Sequence, residues 1–120
     1  MARFEFIDHT ADIGIIGYGS DLSEAFANTA YGMFTLITDL EGLNEDFSRD
    51  IDIQAPDREA LLVSWLNELI YIFDVDYVIL HQFYISSLSE SRLQAKVSGE
   101  KIDSSRHQLK TAIKAATYHS

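Results

Sequence analysis

Apolar positions along the chain fall into two long stretches with helical spacing and several short ones that alternate. From Leu22 to Thr38, the residues Leu22, Phe26, Ala30, Met33, Phe34 and Ile37 recur at intervals of three and four, which is one face of a helix. Asp21 followed by Glu24 has the form of a capping box, in which two side chains satisfy two otherwise unpaired amides. A second helix is predicted to begin at Pro56, whose fixed φ and missing N–H suit a first helical position. Asp57 and Glu59 complement the helix dipole in its first turn. Leu61, Leu62, Trp65, Leu66, Leu69, Ile70 and Phe73 then form a stripe too broad for a surface helix, which places it at the centre of the core.

Strands are predicted where apolar and polar residues alternate or β-branched residues gather. These are Phe4–Ile7, Ile13–Tyr18, Asp50–Ile53, Phe83–Ile85 and Leu93–Val97. Ala112–Tyr118 is ambiguous, since its alanines favour helix while Ile113, Thr117 and Tyr118 tolerate strand. Helices and strands mix without strict β-α-β order. The predicted class is α+β, with mixed β-sheets packed with two main helices. No repeat or linker interrupts the chain, so residues 1–120 read as a single domain.

Composition sharpens this picture. Hydrophobic residues make up 47% of the 120 positions, enough for a core in a chain that buries roughly two thirds of its surface on folding. The absence of cysteine excludes disulfides and thiolate metal sites. The opening Met1-Ala2-Arg3-Phe4-Glu5 lacks the apolar stretch of a signal peptide, and the run near Leu61–Phe73 is broken by Ser64, Asn67 and Glu68. A soluble, cytoplasmic protein is expected. Nineteen Asp and Glu outnumber nine Lys and Arg, for a net charge of −10. A phosphate backbone should be repelled unless the few cations are concentrated in one place, and along the sequence they are scattered. The balance favours a basic protein or a cation as partner, although it also serves solubility alone.

Four places carry candidate chemistry. Asp8-His9-Thr10-Ala11-Asp12 sets two carboxylates and an imidazole within five residues between two strands. Carboxylate oxygens suit Ca²⁺ or Mg²⁺, and His9 tilts the choice toward Mn²⁺ or Zn²⁺. The same residue types also satisfy the backbone of an ordinary turn. Gly99-Glu100 leading to Arg106-His107 is the second place, with a solvated charge as the default reading of Glu100. Lys114 is the third: on a strand it shares a face with Ala116 and Tyr118, where a lysine usually protects an edge. The fourth, Gly17-Tyr18-Gly19-Ser20-Asp21, has no P-loop or dinucleotide pattern and reads as a turn into a helix. No nucleophile sits beside a base in any familiar arrangement.

In order along the chain, these segments resemble one family. Phe6-Ile7-Asp8-His9-Thr10-Ala11-Asp12-Ile13-Gly14, Gly17-Tyr18-Gly19 and Leu22-Ser23-Glu24-Ala25-Phe26 are very similar to the opening of the archeases. Gly32-Met33-Phe34 with Thr38-Asp39 resembles the end of their first helix, and Leu61–Tyr71 their second. Gly99-Glu100, His107 and Ile113-Lys114-Ala115-Ala116-Thr117-Tyr118-His119 match their later motifs. The resemblance covers nearly the whole chain.

The resemblance implies a non-catalytic activator of the RtcB-type ligase, which joins tRNA halves using GTP and Mn²⁺. Archeases promote guanylylation of that ligase and its multiple turnover, and they bind a divalent cation, commonly Ca²⁺. By this likeness Asp12 is the first metal ligand, with Asp8 and His9 beside it. Lys114 corresponds to a lysine implicated in activation, and His119, Glu100 and His107 join it as partner or phosphate contacts. RNA is met only indirectly, and no membrane is involved. Archeases usually continue past the Thr-Tyr-His segment through another strand ending in an Asp that joins the metal site, whereas this sequence stops at Ser120. That departure implies weak metal affinity and an open strand edge, hence a monomer or weak homo-oligomer. Two other readings stand beside this one: a general chaperone or binding module for nucleic-acid-modifying enzymes, and a metal-dependent hydrolase using Asp8, His9, Asp12 and His119.

Overall fold

In the computed structural model, which describes residues 3–8, 13–103, 105 and 107–110, the first apolar stripe forms helix α1, Leu22–Ile37. Asp21 is its N-cap and accepts the Glu24 amide at 2.8 Å. The return half of the capping box is displaced by one residue, because Glu24 Oε1 accepts the Ser20 amide at 3.2 Å. Phe26, Ala30, Met33, Phe34 and Ile37 are buried as expected, while Leu22 stays exposed at the margin. Helix α2 spans Arg58–Asp76. It starts two residues after Pro56 because Asp57 takes the N-cap, accepting the Ala60 amide at 2.8 Å. Its buried face holds Leu61, Trp65, Leu66, Leu69, Ile70 and Phe73, with Ile72 added and Leu62 at the edge. The helix ends on Tyr77, in a left-handed conformation (φ 57°) that non-glycine residues seldom adopt. The Ile102 amide donates to its carbonyl at 2.9 Å.

Strands β1 (Phe4–Asp8) and β2 (Ile13–Gly17) form an antiparallel hairpin. Strands β3 (Phe47–Gln54), β4 (Val78–Leu88) and β5 (Arg92–Lys101) form a second sheet in the order β3-β5-β4. Every ladder is antiparallel among the described residues. β4 is much longer than its predicted centre at Phe83–Ile85. Val78, Ile79 and Leu80 are all buried, so they show no alternation, and register shifts at Leu80/Gln82 and Ile85/Ser87 break the period of two. The class is α+β, as the sequence predicts. Ala112–Tyr118 lies outside the described residues.

Both helices cover one face of the three-stranded sheet. Trp65 sits at the centre, fully buried, its Nε1 donating to the Phe26 carbonyl at 3.1 Å and its ring edge-on to Phe83 at 6.3 Å. A buried Trp with its N–H satisfied contributes its whole apolar area without an orphaned donor. Phe34 joins the cluster, 5.9 Å from Phe83 and 6.3 Å from Phe73. The opposite face is polar: Ser48, Asp50 and Asp52 on β3, Arg92, Gln94, Lys96 and Ser98 on β5, and Gln82 and Tyr84 on β4. No helix among the described residues is long and apolar enough to cross a membrane.

Candidate functional site

The hairpin that carries Asp8 is fixed to α1 at its open end. Gly17 lies so close to the helix that a Cβ there would collide with the Ala25 carbonyl and the Thr29 hydroxyl. Asn28, only 7% exposed, bridges both strands: its Nδ2 donates to the Tyr18 carbonyl at 2.6 Å and its Oδ1 accepts Arg3 Nε at 3.0 Å. The Arg3 guanidinium lies over the Tyr31 ring, 3.8 Å from its centroid. At the other end, Asp8 is the last residue of β1 and pairs with Ile13, the neighbour of Asp12. Asp8 and Ile13 are thus the last described pair of the hairpin at this end. His9 and Asp12 lie outside the described residues, as do Lys114 and His119.

Glu100 and His107 are described in full, and the fold brings them together. Glu100 is 2% exposed, against the default expectation of a solvated charge. Its Oε2 meets His107 Nε2, with both side chains almost wholly withdrawn from water. The Asp103 amide donates to His107 Nδ1 at 2.8 Å, which leaves the Nε2–H tautomer to donate to the carboxylate. Glu100 Oε1 accepts from the Asn44 side chain at 2.9 Å and from its amide at 3.4 Å. The Asn44 carbonyl in turn faces His81 Nε2 at 2.8 Å. A single carboxylate thus ties β5 to the loop before β3 and to His107, and reaches β4 through Asn44. Gly99 makes the placement possible, since any Cβ there would strike the Ile79 carbonyl beside the first register shift of β4.

Residues 107–110 are held against α1 as well. Thr38 donates its hydroxyl to the Gln108 carbonyl at 2.8 Å, and the Lys110 amide donates to the Ile37 carbonyl at 2.6 Å. Asn28, Asn44 and His81 had no place among the sequence candidates. Asn28 carried a faint signal, a polar residue between the buried positions Phe26 and Ala30, while Asn44 and His81 gave none because their partners are distant in sequence. Among the described residues, no three His, Asp or Glu side chains gather closely enough to hold a metal ion. The donor chemistry suited to one remains that of Asp8, His9 and Asp12.

Comparison with known proteins decides the relationship. The model of the archease protein family matches residues 4–120. The chain belongs to the archease family. It is 39% identical to protein archease of Methanosarcina mazei, with 98% of this chain and 83% of that one covered. It is 40% identical to protein archease of Sulfolobus acidocaldarius, covering 99% of this chain and 86% of the relative. The solution structure of Methanobacterium thermoautotrophicum protein 1598 superposes with a TM-score of 0.81 at 35% identity, over 99% of this chain and 86% of that one. The α+β architecture described above is therefore that of an archease.

Proposed function

We propose that this archease is an accessory protein of RNA processing that activates an RtcB-type, GTP-dependent RNA ligase, promoting its guanylylation and multiple turnover. The observation that carries the reading is family membership over residues 4–120. The charge of −10 supports it, because an acidic domain docks more readily on the basic nucleotide and RNA-binding face of a ligase than on RNA itself. In this reading the chain performs no bond-breaking step of its own, and its setting is the cytoplasm, where the ligase works.

Asp12, with Asp8 and His9 beside it, would hold a divalent cation, Ca²⁺ first and Mn²⁺ or Mg²⁺ as alternatives. When bound, the cation supplies positive charge at the hairpin turn of a strongly acidic domain. The chain's own residues do the rest. Asn28 and Gly17 seat the hairpin on α1, so that Asp8 is presented at its far end. Glu100 and His107 tether residues 103–107, and Thr38 tethers Gln108, in the run leading to Lys114 and His119. Lys114 and His119 are assigned to contact with the ligase or a phosphate.

The test is ligation under multiple-turnover conditions with and without this chain, then with Asp12→Ala and Lys114→Ala. Stimulation that either substitution abolishes supports the reading. Failure to bind or stimulate the ligase overturns it, and suppression of aggregation in unrelated proteins instead would favour a general chaperone.

A further inference from the structure

The scattered cations of the sequence are partly gathered by the fold. Tyr84 pairs with Lys96 across β4 and β5, and Gln82 pairs with Ser98 two residues along. These four side chains form a block on the polar outer face of the sheet. Arg3, from the chain just before β1, and His81 complete the wall of a cleft of about 450 Å³. That volume lies within the roughly 300–1,000 Å³ usual for small-molecule sites. Among the described residues no carboxylate lines the cleft, although acidic residues outnumber basic ones 19 to 9 in the chain.

Part of this wall is committed, His81 Nε2 to the Asn44 carbonyl and the Arg3 guanidinium to the Tyr31 face, and part is open among the described residues. The other three described arginines are each paired with a carboxylate: Arg49 with Asp76, Arg58 with Glu90 and Arg92 with Asp52. Among the described residues Lys96 makes no ion pair, and Asp50, its ladder partner on β3, does not engage it. Arg3 uses Nε on Asn28, and its terminal nitrogens make no hydrogen bond among the described residues. Beside these cations the Tyr84 ring stands 68% exposed, among the most exposed large hydrophobic groups of the molecule. A lysine without an ion pair among the described residues, the terminal N–H groups of Arg3, two neutral donors and an open aromatic face are what a phosphate attached to a flat heterocycle needs.

We propose that this cleft binds a nucleoside phosphate, its phosphate on Lys96 and Arg3 and its base against Tyr84, either as a free nucleotide or as the phosphorylated end of an RNA strand. The inference stands on the cleft alone and does not require the ligase. An extended RNA duplex is disfavoured, because the cleft is small and the surrounding molecule is acidic. Charge contacts of this kind weaken with salt, so binding should be strongest at low ionic strength.

The experiment is calorimetric or fluorescence titration of the purified chain at low salt. The probes are a nucleoside 5′-monophosphate, the same nucleoside without phosphate, inorganic phosphate, a 5′-phosphorylated RNA hexamer and a polyglutamate peptide. Saturable binding of the monophosphate is expected, weakened about tenfold by Lys96→Ala, as for loss of a charged hydrogen bond. Lys96→Arg should retain it. Tyr84→Ala should weaken the nucleotide about fivefold or more while leaving inorganic phosphate unchanged, since only the base loses a partner. Both positions are exposed, so the fold should survive these substitutions, and unchanged melting temperatures confirm that. Tighter binding of the monophosphate or of the hexamer identifies the source of the ligand. The proposal is overturned if the monophosphate shows no saturable binding, if Lys96→Ala changes nothing, if the bare nucleoside binds as well, or if polyglutamate binds more tightly than either phosphate ligand.

Discussion

Replacing Glu100 with alanine removes the acceptor on which a buried imidazole and the Asn44 loop both depend. Among the described residues, Asn44 and His107 lose this partner, but unequally. Asn44 is exposed, so water can take over its amide and side chain at little cost. The His107 side chain is only 4% exposed, so its N–H has no such replacement. An orphaned buried donor costs about 1–3 kcal/mol, and more where the lost acceptor was charged. Because that acceptor is a carboxylate, about 3 kcal/mol is the expected loss.

That loss can be read as a temperature. With an unfolding entropy of about 2.1 cal/mol/K per residue, a 120-residue chain loses about 4 °C for each kcal/mol, so Glu100→Ala should melt about 12 °C lower. His107→Ala should also destabilise, and the double variant should lose much less than the sum of the two, because the second substitution removes a group the first has already stranded. The assay is thermal unfolding followed by circular dichroism on all four proteins, with a urea titration to compare midpoints. A shift below about 3 °C for Glu100→Ala would refute the reasoning, as would strictly additive effects.

Two further outcomes follow from single positions. Gly99→Ala should destabilise by about 1–3 kcal/mol, because its Cβ meets the Ile79 backbone, which cannot swing aside as a side chain would; a urea midpoint equal to wild type would show that the strands can part. Asp52 is held below the ordinary aspartate value of 3.8, chiefly by its hydrogen bonds from Arg92. A lowered carboxyl contributes stability that is present above the unfolded-state value and lost as pH falls through the folded one. Arg92→Ala should therefore flatten the acid side of the stability curve below about pH 4 while changing its slope little near neutrality, and an unchanged acid limb would sink the assignment.

The helices and the core were legible because their signals are local and repeated. Leu61, Trp65, Leu69 and Phe73 announce a buried face at every turn, and Asp21 announces a cap, whereas Pro56 set the second helix two residues early because Asp57 caps it. Strand centres were legible where one face is wet, as at Asp50–Ile53. They were not where both sides are covered, as at Val78-Ile79-Leu80, since burial on both sides erases the alternation. The candidate site divided in the same way. Asp8, His9 and Asp12 cluster in sequence and so stood out. The environment of Glu100 did not, because Asn44 lies 56 residues away and His81 touches the network only through a backbone carbonyl. Nothing near Glu100 in the sequence tells a buried acceptor from a surface charge.

The hairpin tests whether the fold positions Asp8 from a distance. Among the described residues, β1 and β2 lean chiefly on α1, and Asn28 is the polar clamp between them. Asn28→Ala removes one bond to a backbone carbonyl and one to a guanidinium, worth about 1–3 kcal/mol together. Because the clamp lies outside the Trp65 core, that energy should be lost from the hairpin before it is lost from the whole domain. Amide hydrogen exchange should then quicken about tenfold in residues 4–8 and 13–17, while the β3-β5-β4 sheet keeps its protection. Under the proposed function, cation binding at Asp8 and Asp12 should weaken in step with that opening. Exchange that quickens equally in both sheets would mean that the hairpin and the core unfold as one unit, and that Asn28 stabilises the domain without specially placing its far turn.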